Sequence, residues 1–152
     1  MNEKLSVALG EPAFETPYRV IYADTDAARV VYNANYLRYF EIGRTEMVRA
    51  WGIPYSYIET LGCFLPVTET YLRFKAPARY DDLLTISTSL VELKKVSCRF
   101  HYAITRQNEK GKQTLLVRGS TTHACVGASG TLVAFPQEVL DKMALFVATK
   151  KA

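Results

Sequence analysis

The residues best suited to chemistry stand between Tyr22 and Tyr36, a stretch that contains the carboxylates Asp24 and Asp26. Asp26 follows a predicted strand and precedes an amphipathic helix, so its carboxylate is expected to lie beside backbone N–H groups that lack partners within the helix. A carboxylate can act as a base or a nucleophile, while N–H groups at a helix N-terminus stabilise an oxyanion. This combination suits chemistry on a carbonyl carbon.

The polar residues of this chain also allow other interpretations. An Asp ahead of a helix is more often a loop or capping residue than a catalytic one, and Asp24 is expected to be structural. A calcium-binding loop that starts at Asp24 fails, because its sixth position is Arg29 and its twelfth is Asn35. Ser129 stands in a predicted hairpin turn without the G-x-S-x-G spacing of a serine hydrolase. No metal site is predicted.

Composition limits the classes of protein that fit. The chain has 152 residues, 49% of them hydrophobic, and a net charge of +4, which predicts one globular domain and is compatible with an anionic ligand. Cys63, Cys98 and Cys125 are odd in number and widely spaced, which favours a reducing compartment. No signal sequence is recognised in the first 14 residues, and the apolar stretches are shorter than the roughly 20 residues that span a bilayer. We therefore predict a cytoplasmic protein without stable membrane insertion.

The periodicity of apolar residues predicts the elements that position Asp26. A strand is expected from Tyr18 to Ala23, followed by a main helix that starts at Asn35, has Asn33 or Asn35 as its N-cap and is stopped by Gly52 with Pro54. A short helical turn is expected at Tyr55 to Leu61. The remaining predicted strands are Phe64–Phe74, Leu83–Leu93, Ser97–Arg106, Thr114–Val126 and Thr131–Ala134. His101 and His123 fall within these strands, where packing or solvent exposure is expected rather than catalysis.

One long apolar helix set early among strands is an α+β pattern, in which an antiparallel sheet wraps or covers the helix. We predict a single domain over residues 1–152, with a core at about 16–135 and a C-terminal helix at about 137–148. Exposed sheet edges favour a homo-oligomer.

Several stretches together resemble a known family. They are Val20–Asp26, Val30–Tyr36, Phe40–Met47, Phe74–Asp82 and Leu93–Ser97, and the likeness extends over roughly residues 18–133. The chain resembles the hot dog fold acyl-coenzyme A thioesterases of the 4-hydroxybenzoyl-CoA thioesterase type, including their Tol-Pal-associated relatives. The combination of stretches is specific, although no single stretch would be.

The resemblance implies a fold, an assembly and a set of site residues. A curved antiparallel sheet would wrap a central helix, and two subunits would form a homodimer that can pair into a homotetramer. Asp26 would be the catalytic carboxylate, and the backbone N–H of Asn33 would be the donor to the thioester oxygen. Lys94 and Lys95, with Ser97 nearby, would meet the phosphates of coenzyme A. The substrate would be an acyl-CoA or acyl-carrier-protein thioester, so coenzyme A belongs to the substrate and no cofactor is predicted.

Two positions differ from the family pattern. Ala28 and Arg29 stand where relatives usually carry one or two glycines, and Asn33 stands where many carry His or Tyr. Because a backbone donor does not depend on the side chain, Asn33 can keep its role. Glycine is used where φ is positive, so we expect Arg29 to affect the conformation of the loop and the acyl groups that fit.

The sequence therefore predicts an acyl-CoA thioesterase that uses Asp26 and the Asn33 N–H. One alternative is a hot dog dehydratase acting on a hydroxyacyl thioester, and the absence of a His in the loop region argues against it. A second alternative is a non-catalytic protein that binds acyl thioesters. Nucleic acid is not an expected partner, because no basic stripe with interleaved aromatic residues is present.

Overall fold

The architecture was obtained from a computed structural model that describes residues 7–150. Its helices and strands, in chain order, are β1 (Gly10–Glu11), β2 (Phe14–Arg19), α1 (Asn35–Ala50), α2 (Tyr55–Thr60), β3 (Val67–Phe74), β4 (Leu83–Leu93), β5 (Ser97–Gln107), β6 (Gln113–Ala124), α3 (Gln137–Ala144) and β7 (Thr149–Lys150). Five strands form one antiparallel sheet in the order β2-β4-β5-β6-β3. The predicted α+β class is therefore confirmed.

Helix α1 packs on this sheet and contacts β2, β4 and β5. Its buried residues recur at intervals of three and four, which places them on one face of the helix: Tyr36, Tyr39, Phe40, Gly43, Met47 and Val48. Alternate residues of β5, from Cys98 to Ile104, are buried beneath it. The core of the protein lies between this helical face and the sheet.

Two glycines allow the helix to approach the sheet closely. A Cβ atom on Gly43 would overlap the side chains of Thr88 and Ile86, which belong to β4. A Cβ atom on Gly119 in β6 would lie 2.5 Å from the carbonyl oxygen of Tyr71 and 2.5 Å from the ring of Phe40. Such separations are far shorter than van der Waals contact, so only glycine fits at either position.

The two ends of the described chain meet on the outer face of the sheet. β1 pairs with β7 in antiparallel fashion, with Gly10 opposite Lys150. The Gly10 N–H donates to the Ser89 hydroxyl of β4 over 3.1 Å, which ties this small sheet to the large one. Among residues 7–150, no helix combines the length and apolar character that crossing a membrane requires.

Three details of the predicted secondary structure are wrong. The strand predicted to start at Tyr18 is β2, which runs from Phe14 to Arg19, and residues Tyr22–Asp24 form a 3-10 turn instead of the end of a strand. The segment Thr131–Ala134 contributes only an isolated bridge, between Leu132 and Val126. The N-cap of α1 is Ala34, and neither asparagine caps the helix through its side chain.

Strand β4 has the predicted bounds, and the main helix begins at Asn35 as predicted and ends at Ala50, before the predicted stop at Gly52. Helix α3 ends at Ala144, a few residues before its expected end.

Candidate functional site

Asp26 lies in a tight loop between β2 and α1. Its N–H donates to the Val30 carbonyl oxygen over 3.0 Å, and its own carbonyl accepts from the Arg29 N–H over 2.9 Å. The Ala28 N–H donates to Oδ1 of Asp26 over 2.9 Å. Within the described part of the chain the other carboxylate oxygen accepts no hydrogen bond, and the side chain is exposed. One oxygen therefore orients the carboxylate, while the other stays open to a reacting group.

Arg29 occupies the left-handed region of the backbone map, with φ of 63°. A glycine would adopt this conformation without steric cost, whereas a residue with a Cβ pays about 1–2 kcal/mol. Arg29 therefore has a strained backbone conformation. The strain falls within the same hydrogen-bonded turn that orients Asp26.

Asp24 anchors this loop from inside the protein. Its carboxylate is fully buried, and Oδ2 accepts from the Tyr18 hydroxyl over 2.7 Å and from the Ile21 N–H over 3.2 Å. Arg38 of α1 brings a guanidinium nitrogen to 3.5 Å from Oδ1. Burial, reinforced by the neighbouring Asp24 carboxylate, raises the pKa of Tyr18 to about 12, so its hydroxyl remains a donor near neutral pH. These contacts give Asp24 the structural role that the sequence predicts.

The backbone of Asp24 also fixes the start of α1. Its carbonyl oxygen accepts from the Tyr32 N–H over 2.9 Å and from the Asn35 side-chain amide over 2.8 Å. The Val31 N–H donates to the carbonyl of Ala78 over 2.8 Å, which ties the loop to the segment after β3. Asn35 therefore holds the loop against the helix instead of capping it. This amide contact could not be predicted from the sequence, because the acceptor is a backbone atom.

Asn33 lies in the turn that leads into α1. Within residues 7–150 its N–H donates to no acceptor, and its carbonyl accepts from the Tyr36 N–H over 3.4 Å. The side chain of Asn33 is exposed. An N–H without an acceptor beside a helix N-terminus is suited to bind an oxygen on which negative charge develops. The structure thus places Asp26 and Asn33 in one loop, connected through the bridge between Thr25 and Val31.

The structure does not bring the predicted phosphate-binding residues to Asp26 within one chain. Lys94 and Lys95 form the turn between β4 and β5, and Ser97 begins β5. The Asp26 loop lies near the opposite end of β4, since Val20 and Asp82 are hydrogen-bonded there. A strand of 11 residues spans about 35 Å. Lys94 also pairs with Glu92 over 3.2 Å.

The histidines lie apart from the Asp26 loop. His123 in β6 is fully buried and contacts Thr121 and the Leu65 carbonyl. His101 in β5 places Nδ1 2.8 Å from the Ala8 carbonyl oxygen on the outer face of the sheet. The described residues include no group of three or more His, Cys, Asp or Glu side chains able to hold a metal ion.

Comparisons with known proteins converge on one family. A sequence model of the thioesterase-like superfamily matches residues 20–143. A putative esterase of Aquifex aeolicus is 33% identical over 123 residues, which are 81% of this chain and 91% of that protein. The acyl-CoA thioester hydrolase YbgC of Escherichia coli O6:H1 is 34% identical over 113 residues, which are 74% of this chain and 81% of that protein.

A solved structure shows the same fold. The crystal structure of a 4-hydroxybenzoyl CoA thioesterase mutant bound to 4-hydroxybenzoyl CoA superposes with a TM-score of 0.79 at 20% identity. The superposition covers 86% of this chain and 98% of that one. An antiparallel sheet with one long helix against it is therefore common to both proteins.

Proposed function

This chain belongs to the thioesterase-like superfamily and has the hot dog fold, and we propose that it hydrolyses acyl-CoA thioesters with Asp26 as its catalytic carboxylate. The observation that carries the proposal is the loop in which one oxygen of Asp26 is held by the Ala28 N–H while the other is free among the described residues. Relatives of more than 30% identity include an acyl-CoA thioester hydrolase, which supports the reaction type.

Asp26 would serve the reaction in one of two ways. As a general base it would take a proton from a water molecule while the water oxygen bonds to the thioester carbon. As a nucleophile its free oxygen would bond to that carbon and form a mixed anhydride, which water then hydrolyses. In both routes the C–S bond breaks, coenzyme A leaves as a thiolate and the free acid is the other product. Coenzyme A thus enters as part of the substrate.

The Asn33 N–H would supply the second half of the site. Negative charge develops on the thioester oxygen as the carbon becomes tetrahedral, and a preorganised donor stabilises that charge. One such donor is worth about 3–4 kcal/mol in the transition state. Because Asn33 precedes α1, the dipole of that helix would act in the same direction. A thiolate is a good leaving group, so the site requires no histidine.

We further propose that the active protein is a homodimer or a dimer of dimers. β3 is an edge strand of eight residues, and its terminal residues Val67 and Phe74 are about half exposed. An edge with free backbone groups and exposed apolar side chains favours pairing with a second copy. The second subunit would then bring its Lys94, Lys95 and Ser97 to the substrate. A cytoplasmic location remains a prediction, for which the free, buried Cys63, Cys98 and Cys125 are the support.

Release of free thiol from a panel of acyl-CoA and acyl-carrier-protein thioesters tests this function. We expect turnover with at least one member of the panel and a loss of about a hundredfold or more in kcat for Asp26→Asn. Asp141→Asn is the matched control, because Asp141 is an exposed carboxylate on α3, and its kcat should equal that of the wild type. Full turnover by Asp26→Asn would exclude the mechanism, and binding without turnover by the wild type would favour the non-catalytic alternative.

A further inference from the structure

A cavity on the outer face of the sheet carries three cationic side chains. It encloses about 250 Å³ and is lined by Val7, Tyr71, Arg73, Lys75 and Arg118. The cationic residues come from β3, the segment after it, and β6. None of them belongs to the candidate site around Asp26.

The strand register forces two of these charges together. Arg73 in β3 is directly opposite Arg118 in β6. Like charges at directly opposite positions of antiparallel strands are destabilising. Lys75, two residues beyond Arg73 along the chain, adds a third positive charge beside the same cavity. This arrangement destabilises the protein when no ligand is bound. A bound anion would offset the repulsion between the two arginines.

No acidic side chain among residues 7–150 forms a salt bridge with this cluster of Arg73, Lys75 and Arg118. Other arginines of the same sheet do have partners, since Arg106 pairs with Asp82 over 2.7 Å and Arg99 with Glu92 over 3.4 Å. The cavity therefore concentrates three positive charges that are available to a ligand.

We propose that this cavity binds a phosphate-bearing anion. Arginine guanidinium groups match phosphate oxygens in pairs, lysine adds a mobile point charge, and the Tyr71 hydroxyl can donate a further hydrogen bond. A cavity of about 250 Å³ is below the 300–1,000 Å³ typical of pockets for drug-sized ligands. It suits a phosphate or diphosphate group, which can be free or can be one end of a larger molecule.

The cavity and the candidate catalytic loop lie on different faces of the sheet. Phe74, between Arg73 and Lys75, contacts Tyr36 of α1 with a ring-centroid distance of 5.6 Å. Adjacent residues of a strand point to opposite faces, so Arg73 points away from the helix. The proposed anion site is thus additional to Asp26 and Asn33. Its ligand is either the nucleotide end of an acyl-CoA or a separate phosphate compound.

Calorimetric titration with sodium pyrophosphate and with coenzyme A, at constant low ionic strength, tests the proposal. We expect the variant Arg73→Gln/Arg118→Gln to bind pyrophosphate at least about tenfold more weakly than the wild type, since two charge-assisted contacts are lost. The matched control is Lys110→Gln/Lys112→Gln, which removes the same charge from the exposed turn between β5 and β6. Its affinity should stay within about twofold of the wild type.

The result also separates the two sources of phosphate. A matching rise in the KM for acyl-CoA in the Arg73→Gln/Arg118→Gln variant identifies the nucleotide end of the substrate, whereas weaker pyrophosphate binding with an unchanged KM identifies a separate ligand.

No pyrophosphate binding by the wild type, or equal binding by both double variants, overturns the proposal. The variant loses a like-charge contact, so thermal unfolding should show a stability equal to or above that of the wild type. Turnover by the wild type does not depend on this outcome, so the thioesterase proposal is tested independently.

Discussion

Arg29 has a strained backbone conformation and lies in the same turn as Asp26, the candidate catalytic residue. Its φ of 63° belongs to the region that glycine adopts most readily, and its N–H closes the turn around Asp26. The surrounding bonds from Ala28 and Val30 hold this conformation despite its cost. The loop therefore keeps the Asp26 carboxylate oriented without a glycine at position 29.

We predict that Arg29→Gly stabilises the protein. Relief of the left-handed conformation should exceed the added entropy of a glycine in the unfolded chain, for a net gain of up to about 1 kcal/mol in the free energy of unfolding. Ala28→Gly is the control, because Ala28 has no positive φ and should lose about 0.5–1 kcal/mol. Urea denaturation of both variants gives the comparison, and an equal loss in each would mean that Arg29 is unstrained.

His123 is a buried histidine that the structure holds neutral. Its Nδ1 lies 3.0 Å from the Leu65 carbonyl, which can only accept, so Nδ1 carries the proton. Nε2 then accepts from the Thr121 hydroxyl over 2.8 Å, and the Tyr102 hydroxyl donates to Thr121 over 2.6 Å. Burial is the main cause that lowers the pKa of His123 to about 4; the bond to Leu65 opposes this shift, and the nearby Arg44 contributes to it.

This lowered pKa predicts a loss of stability in acid. The unfolded chain takes up a proton at His123 below its usual value of about 6.5, while the folded protein resists protonation down to about pH 4. The contribution is therefore fully present above pH 6.5 and is lost as the pH falls from 6.5 to 4, by up to about 3 kcal/mol. His123→Gln should flatten the dependence of unfolding free energy on pH in this window. An unchanged slope would show that His123 titrates normally.

At the scale of elements, the closest packing is that of α1 on β4 at Gly43. A Cβ atom there would collide with Thr88 and Ile86, so we predict that Gly43→Ala lowers the free energy of unfolding by about 1–3 kcal/mol. This sign is opposite to the usual stabilising effect of alanine in a helix interior. Glu41→Ala, on the exposed side of the same helix, should change stability by less than about 0.5 kcal/mol. Thermal unfolding distinguishes the two, and a stabilised Gly43→Ala would contradict the packing.

The elements predicted well from sequence are those with a long, regular apolar pattern. The bounds of α1 and β4 follow from their periodicity, because many residues must agree on one buried face. In the stretch after Arg19, apolar residues alternate as in a strand, yet residues Tyr22–Asp24 form a 3-10 turn. The turn is favoured because the Asp24 carboxylate accepts hydrogen bonds from the Ile21 N–H and the Tyr18 hydroxyl. These hydrogen bonds depend on the three-dimensional position of the side chains, which the pattern of apolar residues does not contain.

Sites that depend on tertiary contacts are likewise hard to predict from local sequence. Asp26 and Asn33 are close in sequence, so the family resemblance was enough to place them in one loop. The cationic cavity required the alignment of β3 with β6, since Arg73 and Arg118 are 45 positions apart and become neighbours only through strand register. The sequence contains one indication of this cavity: Arg73 and Lys75 flank Phe74, so both are expected on the same face of a strand.

At the scale of the whole molecule, Lys94 and Lys95 lie about 35 Å from the Asp26 end of the sheet. We predict that replacing both with alanine raises the KM for acyl-CoA more than it lowers kcat, because a partner subunit would present them to the coenzyme A phosphates. Lys110→Ala/Lys112→Ala is the control of equal charge. Steady-state assays at fixed ionic strength provide the measurement, and an unchanged KM would remove the lysines from the site.

The assembly itself is a separate prediction. Sedimentation velocity should show dimers or tetramers of this chain, and Val67→Lys should shift the population toward monomer because a charge at the β3 edge opposes pairing. Leu145→Lys is the control, since Leu145 is also exposed but directly follows α3 and belongs to no strand of the described chain. A monomeric wild type would contradict the predicted assembly.

The pairing of β1 with β7 has a consequence for how the chain could be rearranged. Gly10 and Lys150 are paired strand residues, whose Cα atoms are typically about 5 Å apart. A few-residue connection could therefore join the two ends of the described chain, and new termini could be opened in the exposed turn at residues 108–111. Such a circular permutant would preserve every strand pairing of the large sheet while separating β5 from β6 along the chain. The strands of such a permutant would be synthesised in a different order and would still occupy the same places in the fold.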